Sequence, residues 1–173
     1  MFEELSLNIL DIAMNSLAAG ASTIQIAVIE SHKHDWLIIR IRDDGRGMDS
    51  QTLKRVLSRN FTTKSRKKPI GLGLALLRQS SEMCGGTFHV RSAADQGTSI
   101  TASMRLSHVD RPPVGDLNGT ILALCASDPA VDIQLHYRSD EATFQFSSQE
   151  GRHHEPRRTQ ETQRKSATTS RAA

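Results

Sequence analysis

The sequence predicts an α/β (α+β) two-layer sandwich, with helices on one face of a mixed sheet. Segments with helical and with strand periodicity alternate along residues 1–106. Neighbouring strand segments are joined by short polar loops, as in hairpins. In the stretch 36–43, apolar side chains alternate with polar ones, which is the pattern of a strand.

Residues 3–19 predict the first helix, which ends at Gly20, a residue type favoured just after a helix. Its apolar stripe is wide, so we expect a mostly buried helix. The stripe consists of Leu7, Leu10, Met14 and Leu17, widened by Leu5, Ile9 and Ile12.

A polar stripe runs along the same helix. Asn8, Asp11 and Asn15 have helical spacing and therefore share one face. One alternative is a solvated face, but such faces usually carry Lys and Glu. Short oxygen-bearing side chains with poor helix propensity suit a Mg²⁺ ion and a positioned water better.

Two strands, Thr23–Glu30 and Trp36–Asp43, predict a hairpin in which Asp43 ends an apolar row. A buried carboxylate is costly unless it is hydrogen-bonded or paired, so we expect a dedicated donor. The exocyclic amine of a purine would serve, and Gly45 and Gly47 would let a flat ring approach the backbone. The alternative is a polar turn, since Asp-Gly is common in turns.

Asp49 or Ser50 is expected to cap a short helix, and a basic segment at about 58–70 follows. This segment carries five Lys/Arg and no acid, so we expect it to be mobile until an anion binds. It leads into Gly71-Leu72-Gly73-Leu74, which opens a helix that ends at Gly85-Gly86. Free N–H groups at such a helix start attract phosphate, and the basic segment would close over it. The alternative is a solvated loop or a patch that binds nucleic acid.

The remaining elements are predicted in two groups. Strands Phe88–Arg91 and Thr98–Leu106 complete the first domain, with Met83 and Met104 as core fillers. Residues 109–149 predict a small C-terminal α-β-β appendage, and 150–173 a disordered polar, basic tail. The appendage consists of a helix at Gly115–Ala126 and strands at Val131–Tyr137 and Thr143–Phe146.

Charge and cysteine content narrow the function classes. The net charge is +3, but residues 151–173 carry six Lys/Arg against two Asp/Glu, so the preceding part is near neutral. Composition therefore argues against nucleic acid as a partner, and the short tail has no aromatic residue to stack on a base. Two distant cysteines, no signal peptide and no membrane-spanning run predict a cytoplasmic protein.

The order of these motifs closely resembles the GHKL superfamily, the Bergerat-fold ATP-binding domain of histidine kinases, type II topoisomerases, mismatch-repair ATPases, certain chaperones and anti-sigma-factor kinases. The resemblance covers roughly residues 1–106, within a first domain that we predict at residues 1–108. It implies that Asp43 accepts a hydrogen bond from the amine of adenine, that Asn15 holds Mg²⁺ and that residues 58–70 form an ATP lid. The implied ATP-binding residues are Asn8, Asn15, Asp43, Gly45, Gly47, Met48, Thr62, Thr63, Lys64, Gly71, Leu72, Gly73, Leu74 and Thr98.

Two departures from the family pattern bear on catalysis. The kinase branch commonly has Asn or His at the position of Asp11, whereas the hydrolysing branch has Glu. Asp11 is shorter than Glu by one methylene, so it is a candidate base or orienter with altered placement. The sequence also lacks the helical hairpin that carries a phosphoaccepting histidine, so we expect the phosphoacceptor to be a separate protein.

The resemblance implies a Mg·ATP-binding protein that phosphorylates a separate protein or hydrolyses ATP slowly. The alternative is an ATP-gated regulatory binding module, similar to anti-sigma factors, with little or no catalysis. Both hypotheses require ATP and neither requires a membrane, and we expect a separate protein partner or phosphoacceptor.

Overall fold

The computed structural model of the protein describes residues 4–58 and 72–150. Within these residues the chain forms four helices and six strands. The helices are α1 (Leu5–Ala18), α2 (Ser50–Ser58), α3 (Leu72–Met83) and α4 (Leu117–Ser127). The strands are β1 (Thr23–Ser31), β2 (Trp36–Asp43), β3 (Phe88–Ser92), β4 (Thr98–Arg105), β5 (Asp132–Arg138) and β6 (Thr143–Ser147).

The six strands form one mixed sheet in the order β3-β4-β2-β1-β5-β6. Only the β1–β5 pair is parallel among these strands. Alternate residues of the central strands are buried under α1, α3 and α4, and α1 lies between the other two helices. The predicted two-layer sandwich is confirmed.

The α-β-β elements predicted for 109–149 are present, and they extend this same sheet. β5 lies beside β1, with Ile133 opposite Ile24 and Leu135 opposite Ile26. The Thr120 hydroxyl of α4 donates to the Ser6 carbonyl oxygen of α1 over 3.3 Å. The segment is therefore continuous with the core through both layers.

The apolar stripe predicted for α1 was partly wrong. Leu7 and Met14 are 50% and 42% exposed. The helix instead packs onto the sheet through Ile9 and Ile12, with two small residues beside them, Ala13 and Ser16. Small side chains let a helix approach a sheet closely, and a search for large apolar residues alone overlooks them.

Met104 is fully buried as predicted, but Met83 is 53% exposed, so its prediction as a core filler was wrong. Met83 is the last residue of α3, and the next residue, Cys84, takes the buried position. Burial raises the pKa of the Cys84 thiol.

Several predicted features lie outside the described residues. They are the basic segment after Ser58, the tail after Glu150, and the candidate site residues Thr62, Thr63, Lys64 and Gly71. None of the helices within 4–58 and 72–150 is long and apolar enough to cross a lipid bilayer.

Candidate functional site

Asp43 ends β2 as a buried carboxylate with three hydrogen-bond donors. The Ser16 hydroxyl donates to Oδ2 over 2.7 Å. The backbone N–H groups of Gly45 and Thr98 donate to Oδ1 over 3.0 and 3.2 Å. Only 7% of Asp43 is exposed, so these donors offset the cost of burying its carboxylate.

Asp43 has the acceptor capacity for one more donor. A carboxylate offers about four lone-pair positions, two on each oxygen. Among the described residues, Oδ1 accepts two hydrogen bonds and Oδ2 accepts one. The unused position is therefore on Oδ2, where an amine of a bound ligand would donate.

Ser16 is a site residue that the sequence analysis missed. It lies on the buried side of α1, one turn after Ile12 and next to Asn15. A serine at a buried helical position needs a partner, because buried polar groups are almost always hydrogen-bonded. That signal was present in the sequence, but it does not say which partner the serine contacts.

Gly45 and Gly47 are explained by packing within the protein. A Cβ on Gly47 would lie 2.0 Å from the Ala93 carbonyl oxygen, and the residue has a φ of +61°. A Cβ on Gly45 would lie 3.1 Å from the Ala19 Cβ. Both glycines therefore let the turn after β2 approach its neighbours, whether or not a flat ring also contacts that turn.

The turn between β3 and β4 holds the turn after β2 in place. The Ser92 hydroxyl accepts from the Met48 N–H over 2.8 Å and lies 3.0 Å from the Thr98 hydroxyl. A Cβ on Gly97 would lie 2.0 Å from the Asp43 carbonyl oxygen, and Gly97 has a φ of +75°. Residues 97 and 98 thus pack directly against the end of β2.

Asp44 fixes the other side of the same turn. Its carboxylate accepts from the N–H groups of Ser22 and Thr23 over 2.8 and 2.9 Å, and also from the Ser22 hydroxyl. Partial burial raises the pKa of Asp44, but these hydrogen bonds outweigh it and hold the pKa below its usual value. The start of β1 and the end of β2 are joined by this carboxylate.

The polar face of α1 meets the start of α3. The Gly73 N–H donates to Asp11 Oδ2 over 2.8 Å. A Cβ on Gly73 would lie 2.8 Å from the Asp11 Cβ and 2.9 Å from the Asn8 carbonyl oxygen. Glycine is thus required for the two helices to approach this closely, and Asp11 satisfies an N–H group of the first turn of α3.

Asn15 lies one turn further along α1. Its amide nitrogen donates to the Asp11 carbonyl oxygen over 2.8 Å. Because only the nitrogen can donate, this contact leaves Oδ1 of Asn15 available as an oxygen ligand. Within the described residues, no group of three or more His, Cys, Asp or Glu could hold a metal ion. Mg²⁺ keeps several waters and binds largely through a nucleotide's phosphates, so it needs few protein ligands, and the Asn15 amide oxygen would serve as one of them.

The described candidate residues form two clusters joined by α1, where Ser16 follows Asn15 directly. One surrounds the end of β2, and the other surrounds the start of α3. Leu72 is 40% exposed and Leu74 is partly buried at that helix start. The first cluster contains Asp43, Gly45, Gly47, Met48 and Thr98, and the second contains Asn8, Asp11, Asn15 and Gly73.

Residues 1–108 match the family described as "Histidine kinase-, DNA gyrase B-, and HSP90-like ATPase". A putative sensor protein of Shewanella frigidimarina is 31% identical over 103 residues, which are 59% of this chain. Sensor histidine kinase YvrG of Bacillus subtilis is 30% identical over 90 residues, or 50% of this chain. The chain spans only 16% of the length of each of these relatives.

A solved structure shares the fold. The N-terminal domain of a DNA repair protein superimposes with a TM-score of 0.56 at 14% identity. The superposition covers 83% of this chain and 51% of that one. It therefore extends well past residue 108 and includes elements of the C-terminal α-β-β segment.

Proposed function

The chain belongs to the family of histidine kinase-, DNA gyrase B- and HSP90-like ATPases, and from this premise we propose that it binds Mg·ATP between Asp43 and the start of α3. The observation that carries the proposal is the unused acceptor position on Asp43 Oδ2. Adenine presents an amine there, whereas guanine presents a carbonyl oxygen, which a carboxylate would repel. Asp43 would therefore select adenine.

The other cluster would hold the phosphates. Asn15 Oδ1, assisted by Asn8, would bind the Mg²⁺ ion, which supplies charge neutralisation. Gly71 and the basic lid around Lys64 would face the phosphates, as the resemblance to the family implies, whereas the Gly73 N–H is already engaged by Asp11. Phosphoryl transfer depends mainly on positioning of the reacting groups and on neutralisation of their charge. The groups in this cluster are of the types that can supply both.

We further propose that the bound ATP phosphorylates a separate protein or is hydrolysed slowly, with Asp11 orienting the acceptor. The relatives described as sensor histidine kinases favour phosphoryl transfer to a protein.

The second candidate, an ATP-gated binding module with little catalysis, is favoured by one contact. Asp11 Oδ2 already accepts from the Gly73 N–H, so that oxygen is engaged in joining two helices. A carboxylate that serves as a structural acceptor is less available as a base.

Nucleotide binding is tested by titration calorimetry with ATP and GTP in the presence of Mg²⁺. We expect ATP to bind at least about tenfold more tightly than GTP, which corresponds to about 1.4 kcal/mol. Asp43→Asn should abolish most of that preference, while the circular dichroism spectrum persists. Asp140→Asn, the same change at the opposite end of β1, where this carboxylate contacts Ser31 and His32, is the matched control. Unchanged ATP affinity in Asp43→Asn would contradict the proposal.

Catalysis is tested separately with γ-labelled ATP. Release of labelled phosphate, or transfer of label to a protein in a cell extract, would favour the enzyme. Tight ATP binding with neither product would favour the gated module.

A further inference from the structure

The face of the sheet opposite the helices is rich in arginine. Five exposed arginines alternate along the strands with residues that are buried under the helices. No lysine is present on this face within the described strands. We call this surface the basic sheet face, and its arginines are Arg40 and Arg42 on β2, Arg91 on β3, Arg105 on β4 and Arg138 on β5.

The strand register places these arginines among neutral donors. Arg42 lies opposite Ser99, and Ser99 lies opposite Arg91 on the next strand. Neighbouring strands are about 4.8 Å apart, so Arg42 and Arg91 lie on either side of Ser99 in the sheet. Arg40 lies opposite Thr101 in the adjacent row. Guanidinium and hydroxyl groups arranged in this way suit carboxylate oxygens.

The central arginines have no acid of their own. In the part of the chain that the structure describes, Arg40, Arg42 and Arg91 form no ion pair. Asp132, at the border of the face, accepts instead from the Ser147 hydroxyl over 2.8 Å. Arg105 pairs with Asp35 over 3.9 Å, so the unpaired positive charge at the centre of this face lies on the three central arginines.

An apolar strip lies beside the arginines. Trp36 and Ile38 on β2 and Ile29 on β1 are partly buried and face the same side. Arg105 stacks over the Trp36 ring at 4.4 Å from its centroid. Protein–protein interfaces are typically enriched in arginine and tryptophan and depleted in lysine, and this face has the same composition. A single-stranded nucleic acid would require a free aromatic ring for base stacking, and Arg105 already covers this ring.

We propose that the basic sheet face docks an acidic segment of a partner protein. Carboxylates of that segment bind Arg40, Arg42 and Arg91, and its apolar side chains contact Trp36 and Ile38. The two longer segments of this chain that lie outside the described residues 4–58 and 72–150 are too basic to bind this face themselves. Residues 59–71 carry five Lys/Arg and no acid, and residues 151–173 carry six Lys/Arg and two acids.

The test uses poly-L-glutamate as the probe, and Trp36, the only tryptophan of the chain, as the reporter. Binding on the basic sheet face should change the Trp36 emission, because Arg105 stacks on that ring. A ligand that binds the helical face leaves this emission unchanged and overturns the proposal. Absence of any poly-L-glutamate binding at low salt overturns it as well.

Reversing the charge of two arginines tests whether poly-L-glutamate binds at the basic sheet face. We expect Arg40→Glu with Arg42→Glu to weaken poly-L-glutamate binding at least about tenfold. The matched control reverses two exposed charges on α2, Lys54→Glu with Arg55→Glu, and should change the affinity less than about threefold. Both variants should keep their affinity for ATP, which shows that they are folded.

Two outcomes of the same experiment overturn the proposal. One is an equal loss of binding in the α2 control, which means that only net charge matters. The other is tighter binding of a single-stranded oligonucleotide of matched charge that the β2 variant abolishes, which assigns the face to nucleic acid.

Discussion

The hydroxyl of Ser16 donates to Oδ2 of Asp43 over 2.7 Å, and both residues are buried. The bond joins the central helix to the end of the central strand, at the point where the base of a nucleotide would bind. It also leaves one acceptor position on the same oxygen. Ser16 therefore positions Asp43 and determines how much of its acceptor capacity a ligand can use.

We predict that Ser16→Ala destabilises the protein by about 1–3 kcal/mol, because a buried acceptor loses its donor. Urea unfolding measures the loss. Ser127→Ala is the control, since that hydroxyl donates to Ala123 O on an exposed helix end. The interpretation of Ser16 is wrong if the two variants are equally stable.

Gly97→Ala should cost about 2–5 kcal/mol, from left-handed backbone strain and from overpacking against the Asp43 carbonyl. Gly20→Ala is a matched control, because Gly20 has the same φ of +75° and no atom within 4 Å of its would-be Cβ. It should cost only the backbone strain, about 1–2 kcal/mol. ATP affinity should fall in Gly97→Ala alone, since only this change displaces the end of β2. Equal losses of stability in both variants would contradict the packing explanation.

The order of the elements was predictable because each strand and helix carries its own periodicity. The β1–β2 hairpin, for example, was expected to end at Asp43, and it does. The partners of Asp43 were not predictable, because Ser16 and Thr98 are far from it in sequence and converge only through packing.

The distribution of charge over the surface was likewise not predictable from the sequence. Composition argued against nucleic acid as a partner, because the chain before residue 151 is almost neutral. Strand pairing separates the charges in space, since it gathers Arg42 and Arg91 on one face of the sheet. Only the register of the strands reveals that surface.

Asp11→Ala should destabilise the protein by about 0.5–2 kcal/mol, which is the usual cost of losing a helix cap. Asp11→Asn keeps an acceptor for the Gly73 N–H and should lose less than half as much. Asp116→Ala, which removes the acceptor for the Gly119 N–H of α4, is the matched control and should cost a similar amount. Thermal unfolding compares all three variants. Full stability in Asp11→Ala would show that the Asp11–Gly73 bond is dispensable.

The last prediction concerns the stability of the protein at acidic pH. Hydrogen bonds from Ser22 and Thr23 outweigh the effect of partial burial and hold the pKa of Asp44 below its usual value. A carboxyl group with a lowered pKa in the folded state contributes stability that is fully present above its unfolded pKa, about 3.9. That contribution is lost as the pH falls through the lower, folded value.

Wild-type protein should therefore be more stable than Asp44→Asn at pH 6, and the difference should shrink below about pH 4. Urea midpoints at a series of pH values measure it, because the midpoint changes with stability while the slope does not. Glu141→Gln, which removes one exposed carboxylate from the turn between β5 and β6, is the control for the change in net charge. A stability difference for Asp44→Asn that stays constant from pH 6 to pH 3 would mean that the ionised carboxylate does not hold this turn.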